Sequence, residues 1–293
     1  MIYFCADDYG MCDMISMHIQ RCIDEGVLNK VSIFPNFDKI DLQKISENKD
    51  IRLSLHLNLV EGRCMSYADK IHLIADKNGN FKHTFGRLFK LSLFHPKELE
   101  AQVYKEIRTQ VLFWKSILPK DAPFCIDSHQ HTHMIPVVFR ALLKALSDEK
   151  INLKYMRIPV EPLMPYIKTP SLYLTYTPIN LIKQWLLKFL WLINKRQAKK
   201  YKIPTAYFMG ILFSGKMDEK RVNKILPKYE KIAEKDGRDI EVLFHPGYLD
   251  KSDISFEKRN IVFNEFYLSQ NRKTEFESVM KISTKEECRN ALY

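Results

Sequence analysis

Short apolar runs and longer amphipathic stretches take turns along this chain. The runs Ile2–Cys5, Arg52–Leu55, Phe124–Ile126, Tyr155–Ile158 and Glu241–Phe244 predict short strands. Residues 13–25, 97–117 and 136–149 predict helices. In the first, Asp13 stands as a candidate N-cap, and Ile15, Ile19, Cys22 and Ile23 share a face before Gly26. The second repeats Leu99, Val103, Ile107 and Val111 at helical spacing, and the third opens on Pro136 and carries Val138, Ala141, Leu142 and Ala145. Such alternation argues for an α/β fold with a mostly parallel sheet under helices. Asp7 and Asp8 follow the first run, His56 the second, Asp127 and His129 the third, and His245 the last. Ligands gather at the carboxyl ends of parallel strands, so four ends bearing ionisable groups favour a (β/α) barrel, regular or irregular, over an open sheet. Residues 1–293 read as one domain. The proline-rich and then apolar-basic stretch 160–217 departs from the alternation and reads as an insertion able to cap the site. Residues 255–282 read as helical, and the last ten as loosely held.

Composition narrows the class without naming a function. At 293 residues the chain can build a full core, and 46% hydrophobic with 28% charged residues is ordinary for a globular protein. The formal charge of +11 favours anionic neighbours. No nucleic-acid-binding motif accompanies it, so nucleic acid is not expected as a partner. The six cysteines form no C-x-x-C pair, and Cys5 and Cys125 lie in apolar runs, which suits reduced, buried thiols. MIYFCADDYG has neither a basic n-region nor a long apolar h-region, so no secretory signal is read and a cytoplasmic location is expected. Oligomeric state is not legible.

Four segments could carry chemistry. In A-D-D-Y-G, residues 6–10, two adjacent carboxylates repel and one calls for a cation or a proton, although a solvated turn accounts for such a pair equally well. In L-S-L-H-L-N-L, residues 53–59, His56 and Asn58 project to one side, where His56 is either a ligand or a satisfied structural residue. In I-D-S-H-Q-H-T-H, residues 126–133, three alternating histidines are hard to place in a core and point to a metal. Extended backbone would aim all three one way, a turn would separate them, and Asp127 could orient an imidazole from behind. In F-H-P-G-Y, residues 244–248, Pro246-Gly247 turns the chain directly after His245.

The four together resemble the YdjC/ChbG family of carbohydrate deacetylases, whose hallmarks look like A-D-D-F-G, H-L-N-L-T-E-G-R, D-S-H-Q-H-V-H and H-P-G-Y. Here they stand in the same order as A-D-D-Y-G, H-L-N-L-V-E-G-R, D-S-H-Q-H-T-H and H-P-G-Y. Leu153–Pro159, which contains Arg157, and Phe208–Gly215 match more weakly. Tyr9, Val60 and Cys12 depart from the pattern without removing an ionisable group. The resemblance implies a barrel-like fold, one divalent ion, Mg²⁺ or Zn²⁺, and an N-acetylated sugar substrate. By motif position Asp8, His56 and His129 would be the metal ligands, Asp7 the catalytic carboxylate and His245 the acid. Asp127, His131, His133, Asn58 and Arg157 remain candidates for supporting or substrate-contacting roles. That chemistry is coherent: amide hydrolysis needs an activated water, a stabilised oxyanion and a proton for the departing amine.

Rival readings are a metal-dependent phosphoesterase, a non-haem iron oxygenase on the same two-His, one-carboxylate set, and a non-catalytic sugar-binding protein. Residues 181–202 hold a further feature. Trp185–Ile193 is apolar apart from Lys188 and far shorter than a membrane span, and Lys195, Arg196, Lys199, Lys200 and Lys202 follow at once. This is either a barrel-covering helix with a solvated end or an interfacial helix that contacts an anionic membrane peripherally.

Overall fold

The structure, a computed structural model, describes residues 1–37, 40, 42, 45, 51–250 and 267–282. Seven strands, β1 (Ile2–Tyr9), β2 (Lys30–Ile33), β3 (Arg52–Leu57), β4 (Phe124–Ser128), β5 (Leu153–Met156), β6 (Tyr207–Met209) and β7 (Ile240–Phe244), pair in the order β5-β4-β3-β2-β1-β7-β6. Every pairing is parallel. The sheet curls into a half-barrel. Its edges approach where the Met156 N–H donates to the Pro204 carbonyl at 3.0 Å, just ahead of β6. The expected α/β barrel class therefore holds, in an irregular seven-stranded form.

The strands are buried on both faces, and the two faces differ in kind. One carries Phe4, Val31, Leu53, Leu55, Ile126 and Val242 into the apolar core beneath the helices. The other fills the curl with Asp7, Lys30, Ser54, Asp127, Arg157 and Glu241, all buried. Period-two alternation thus separates an apolar exterior from a polar lumen rather than core from water.

The helices Asp13–Asp24, Pro96–Ile117 and Pro136–Asp148 match their expected spans closely. Three local expectations are corrected. Cys12 occupies the N-cap and Asp13 the first helical turn, where a carboxylate favours the exposed N–H groups of the helix end. Asp7 and Asp8 lie inside β1, whose pairing with β2 slips between Ala6 and Tyr9, and Asp8 takes φ 75°. The fourth expected strand, read as Tyr155–Ile158, begins two residues earlier and runs Leu153–Met156. Strands β2 and β6 were not anticipated; each is short, and β2 opens on Lys30, an unlikely-looking start for a buried strand. Because β6 falls within 160–217, part of that stretch belongs to the sheet. Of the carboxyl-terminal expectation, Gln270–Lys281 is helical, whereas 255–266, the last ten residues and Cys288 lie outside the described residues.

Glu161 ties the start of the 160–217 stretch to the turn that follows β6. Its buried carboxylate accepts the N–H groups of Gly210 (2.6 Å), Ile211 (3.2 Å) and Leu212 (2.8 Å) and the Tyr166 hydroxyl (2.6 Å). Its own backbone is bonded on both sides by the Gln184 amide, from the Pro178–Lys200 helix. We expect Glu161→Ala to strand three buried N–H groups and lower unfolding free energy by about 3–5 kcal/mol, read by urea titration. A loss below about 1 kcal/mol would show that this knot does not secure the segment.

Candidate functional site

The site is built from the carboxyl ends of β1, β3, β4 and β7, at the floor of a cleft of ≈ 2030 Å³. The slip in β1 lets consecutive aspartates serve different places. Asp7 turns into the lumen, where Arg157 grips it in bidentate fashion, Nη1 to Oδ2 at 2.7 Å and Nη2 to Oδ1 at 2.8 Å. Asp8 turns to the cleft, with Oδ2 held by the Tyr267 hydroxyl at 3.0 Å and Arg272 at 3.1 Å. Its other oxygen faces two imidazoles: His129 Nδ1 lies 3.2 Å from Asp8 Oδ1, and His56 Nε2 lies 3.6 Å from it. One ligand atom from each of Asp8, His56 and His129 falls within 4.8 Å of the others.

His56 is aimed from behind. Its Nδ1–H donates to Asp127 Oδ1 at 2.6 Å, while Asp127 Oδ2 accepts the Ser32 and Ser54 hydroxyls at 2.6 and 2.7 Å. That leaves His56 Nε2 buried, directed at the cleft and without a hydrogen-bond partner among the described residues. A buried, unpartnered imidazole nitrogen beside a carboxylate and a second imidazole is the kind of donor set a divalent ion takes. Electrostatics agree. Burial alone would lower the His56 pKa, but the carboxylates of Asp7, Asp127 and Asp8 around it raise it to about 10. The carboxylates around His56 favour positive charge at this point of the cleft floor. Burial likewise works to raise the Asp7 and Asp127 carboxyls, yet Arg157 and His56 hold both below the ordinary carboxylate range. Both therefore stay ionised at neutral pH.

The three histidines after β4 are separated by a turn. Gln130 and His131 both adopt left-handed backbone, with φ 51° and 57°. Only His129 reaches the Asp8–His56 cluster. His131 also lines the cleft, against Phe208, with a buried Nδ1 that bonds to nothing described; burial next to Arg157 pushes its pKa well down. His133 points back into the fold, where Nε2–H donates to the Arg157 carbonyl at 2.8 Å and Nδ1 accepts from Ser128 Oγ at 2.5 Å. It braces Arg157 and touches neither cleft nor cluster.

Asn58 also serves the scaffold. Its amide donates to Asn36 Oδ1 and the Glu61 carbonyl and its oxygen accepts the Val60 and Glu61 N–H groups, so no polar atom is left for a substrate. Arg157 is fully buried and touches no substrate space; its contacts are Asp7, Glu241 and, at 3.5 Å, Asp127. His245 lines the cleft opposite, with Glu275 Oε2 accepting its backbone N–H at 2.6 Å. Its turn is tightly seated, because a Cβ on Gly247 would come within 2.4 Å of Ile15 Cγ2.

Several functional neighbours were not foreseen. Lys30 and Glu241 pair at 3.0 Å in the lumen, and Tyr155 donates to Glu241. Their signal was available: each is a polar residue in phase with Cys5, Asp7, Ser54 and His56 on an otherwise apolar strand. Tyr267, Arg272 and Glu275 carried no such signal, since they sit on a polar helical segment far along the chain.

The model of the YdjC-like protein family matches residues 1–290. A carbohydrate deacetylase of Danio rerio is 28% identical over 159 residues, 54% of this chain and 49% of that protein. One from Clostridium beijerinckii is 24% identical over 170 residues, 57% of this chain and 64% of that protein. The matched region spans about half the length of the curated relatives from vertebrates. Among solved structures, a protein of Enterococcus faecalis V583 described as a cellobiose-phosphate cleavage protein superposes with a TM-score of 0.63 at 18% identity, covering 99% of this chain and 94% of that one. That likeness speaks for the fold.

The bracing role of His133 has a pH signature. Burial pushes its pKa from 6.5 to about 4, so the folded state prefers the neutral ring. Its contribution is complete above pH 6.5 and is lost as pH falls towards 4, because the unfolded chain then binds the extra proton. Between about pH 7.5 and about pH 5 we expect this group alone to cost roughly 2 kcal/mol of unfolding free energy. His133→Gln should flatten that part of the profile; an unchanged slope would remove His133 from the account.

Proposed function

From the membership of this chain in the YdjC-like family, we propose that it is a carbohydrate deacetylase that hydrolyses the acetamide of an N-acetylated sugar with the help of one divalent ion, Mg²⁺ or Zn²⁺. The observation that carries the reading is the convergence of Asp8 Oδ1, His56 Nε2 and His129 Nδ1 at the cleft floor, with the partnerless His56 nitrogen among them. In this reading residues 1–293 act as one domain, and the stretch 160–217 caps the cleft. Lys183 and Leu187 from that stretch do line it.

Asp8, His56 and His129 would hold the ion, which when bound polarises the acetyl carbonyl and eases deprotonation of water. Asp127 fixes the His56 tautomer, and Arg272 with Tyr267 fixes which Asp8 oxygen faces the cleft. Asp7, kept ionised by Arg157, is the group to take the proton of the attacking water; its grip on Arg157 holds it in place while it does so. His245 faces the cleft from the β7 side and supplies a proton to the departing amine, with His131 as the neighbouring imidazole. The cleft exceeds the ~300–1,000 Å³ of ordinary small-molecule sites, which suits an oligosaccharide or glycoconjugate more than a monosaccharide. A phosphoester substrate finds less support, since the basic groups nearest the cluster, Arg157 and Arg272, are already bonded to Asp7 and Asp8.

The test is acetate release from a panel of N-acetylated oligosaccharides, with and without chelator. We expect turnover that chelation abolishes and a divalent ion restores, and Ala at Asp8, His56 or His129 to reduce bound metal by elemental analysis. Full metal content in all three variants would overturn the ligand set. Asp7→Asn is expected to keep the metal and the fold while losing at least ~10²-fold in rate, the scale of general base catalysis; a near-normal rate would move the base elsewhere.

A further inference from the structure

The Pro178–Lys200 helix gives half of its buried positions to amides, beside Leu187, Leu190 and Ala198, while its outer face is apolar. Its buried stripe carries Asn180, Gln184 and Asn194, each with its amide bonded to backbone carbonyls: Asn180 to Ser214 at 3.0 Å, Gln184 to Glu161 at 2.9 Å and Asn194 to Met134 at 2.8 Å. The opposite stripe, at i, i+3, i+7 and i+10, is Ile182, Trp185, Phe189 and Leu192, exposed by 62%, 58%, 56% and 51%. A helix that buries amides and shows indole and phenyl rings has an apolar face that nothing described covers.

Charge identifies the occupant. From residue 162 to residue 217 there is no Asp or Glu, against nine Lys or Arg. The basic groups follow the apolar stripe directly, at Lys195, Arg196, Lys199 and Lys200, and Lys188 Nζ sits 5.0 Å over the Trp185 ring. A second copy of this face would bring like charges together, whereas an anionic lipid surface offers headgroups to the lysines and acyl chains to the rings. No described helix is long and apolar enough to cross a membrane, so the contact is one of lying on the surface. The same helix lends Lys183 and Leu186 to the cleft wall. Its exposed stripe therefore flanks the cleft that holds Asp8, His56 and His129.

We propose that the exposed Ile182–Leu192 stripe, with its basic end, seats this protein on an anionic lipid surface, where the cleft takes an N-acetylated sugar carried by a lipid. The seating stands on the helix alone; the substrate class rests on the deacetylase reading. The binding test is flotation with vesicles of equal phosphatidylglycerol and phosphatidylcholine, and of phosphatidylcholine alone, at low and high salt. Expected is binding to the anionic vesicles, weakened by salt, and at least ~10-fold weaker in both Trp185→Ser/Phe189→Ser and Lys195→Glu/Lys199→Glu. Both variants should release acetate from a soluble N-acetylated oligosaccharide as the parent does, while losing rate on an N-acetylated glycolipid in the anionic vesicles. No flotation with either vesicle overturns the seating, as does a dimer in light scattering that Trp185→Ser/Phe189→Ser dissolves, because the stripe would then be a self-interface. Flotation with acetate released from the soluble sugar alone overturns the lipid-borne substrate and leaves the deacetylase reading intact. Flotation without acetate from either substrate overturns the deacetylase reading.

Discussion

A guanidinium sealed inside a protein is tolerated only when anions surround it, and here one organises the whole lumen. Arg157 is fully buried at the end of β5, with Asp7 from β1 and Glu241 from β7 within 2.8 Å and Asp127 from β4 at 3.5 Å. Three strands thus contribute carboxylates to one cation. Isolated burial of any of these charges would cost several kcal/mol, and removal of a single partner leaves another uncompensated. Lys30 from β2 completes the set by pairing with Glu241. Even so, burial raises the Glu241 pKa to about 7, so this carboxyl is the least firmly ionised of the group. Such a network is weak as a source of net stability and strong as a constraint on geometry: the strands must curl until the charges meet.

That constraint sets the cleft. Asp7 is locked to Arg157, so Asp8 must turn the other way, and the slipped pairing with left-handed backbone at Asp8 is what allows it. Asp127, held by two serine hydroxyls and close to Arg157, is in turn fixed to hold His56. His56 Nε2 ends up buried and directed at the cleft floor while its other nitrogen is committed. The lumen therefore acts as a rigid second layer: each group facing the cleft is positioned by a group that cannot move without unpairing a buried charge.

Much of this was legible in the sequence, and the boundary of legibility is physical. The strand–helix alternation gave the architecture, and ionisable residues just past apolar runs marked Asp7, Asp8, His56, Asp127, His129 and His245. What local pattern could not give was the path of a turn. Alternation in His129, His131 and His133 suits extended backbone, but two consecutive left-handed residues send the three rings to three places. Asn58 shows a related limit: three hydrogen bonds close its own turn and a fourth reaches Asn36, a use of the side chain that competes with any contact in the cleft. Strand β2 was hidden because Lys30 breaks an apolar run, yet the same lysine is a period-two signal once the lumen is known to be polar. Arg272 and Tyr267, which hold Asp8 from more than two hundred and fifty residues away, had no local signature at all.

The Pro178–Lys200 helix beside the cleft follows from the same logic in the opposite direction. Part of its inner face meets backbone carbonyls of the loops after β4, β5 and β6, so amide side chains at Asn180, Gln184 and Asn194 are what that part requires. With half of its buried positions given to amides, the helix draws its apolar burial from Leu187, Leu190 and Ala198. Ordinary packing would then place polar groups outside. The outer stripe instead carries four large apolar side chains, each leaving surface in contact with water at roughly 25 cal/mol per Å². Scattered exposed leucines need no explanation, but four on one stripe, beside the mouth of the cleft and followed by a cluster free of acidic residues, do not arise from the demands of folding this barrel. The lumen spends buried charge to fix the cleft floor, and the rim leaves apolar surface uncovered at the cleft's mouth. Both depart from what stability alone would select, and both lie where a substrate would enter or react.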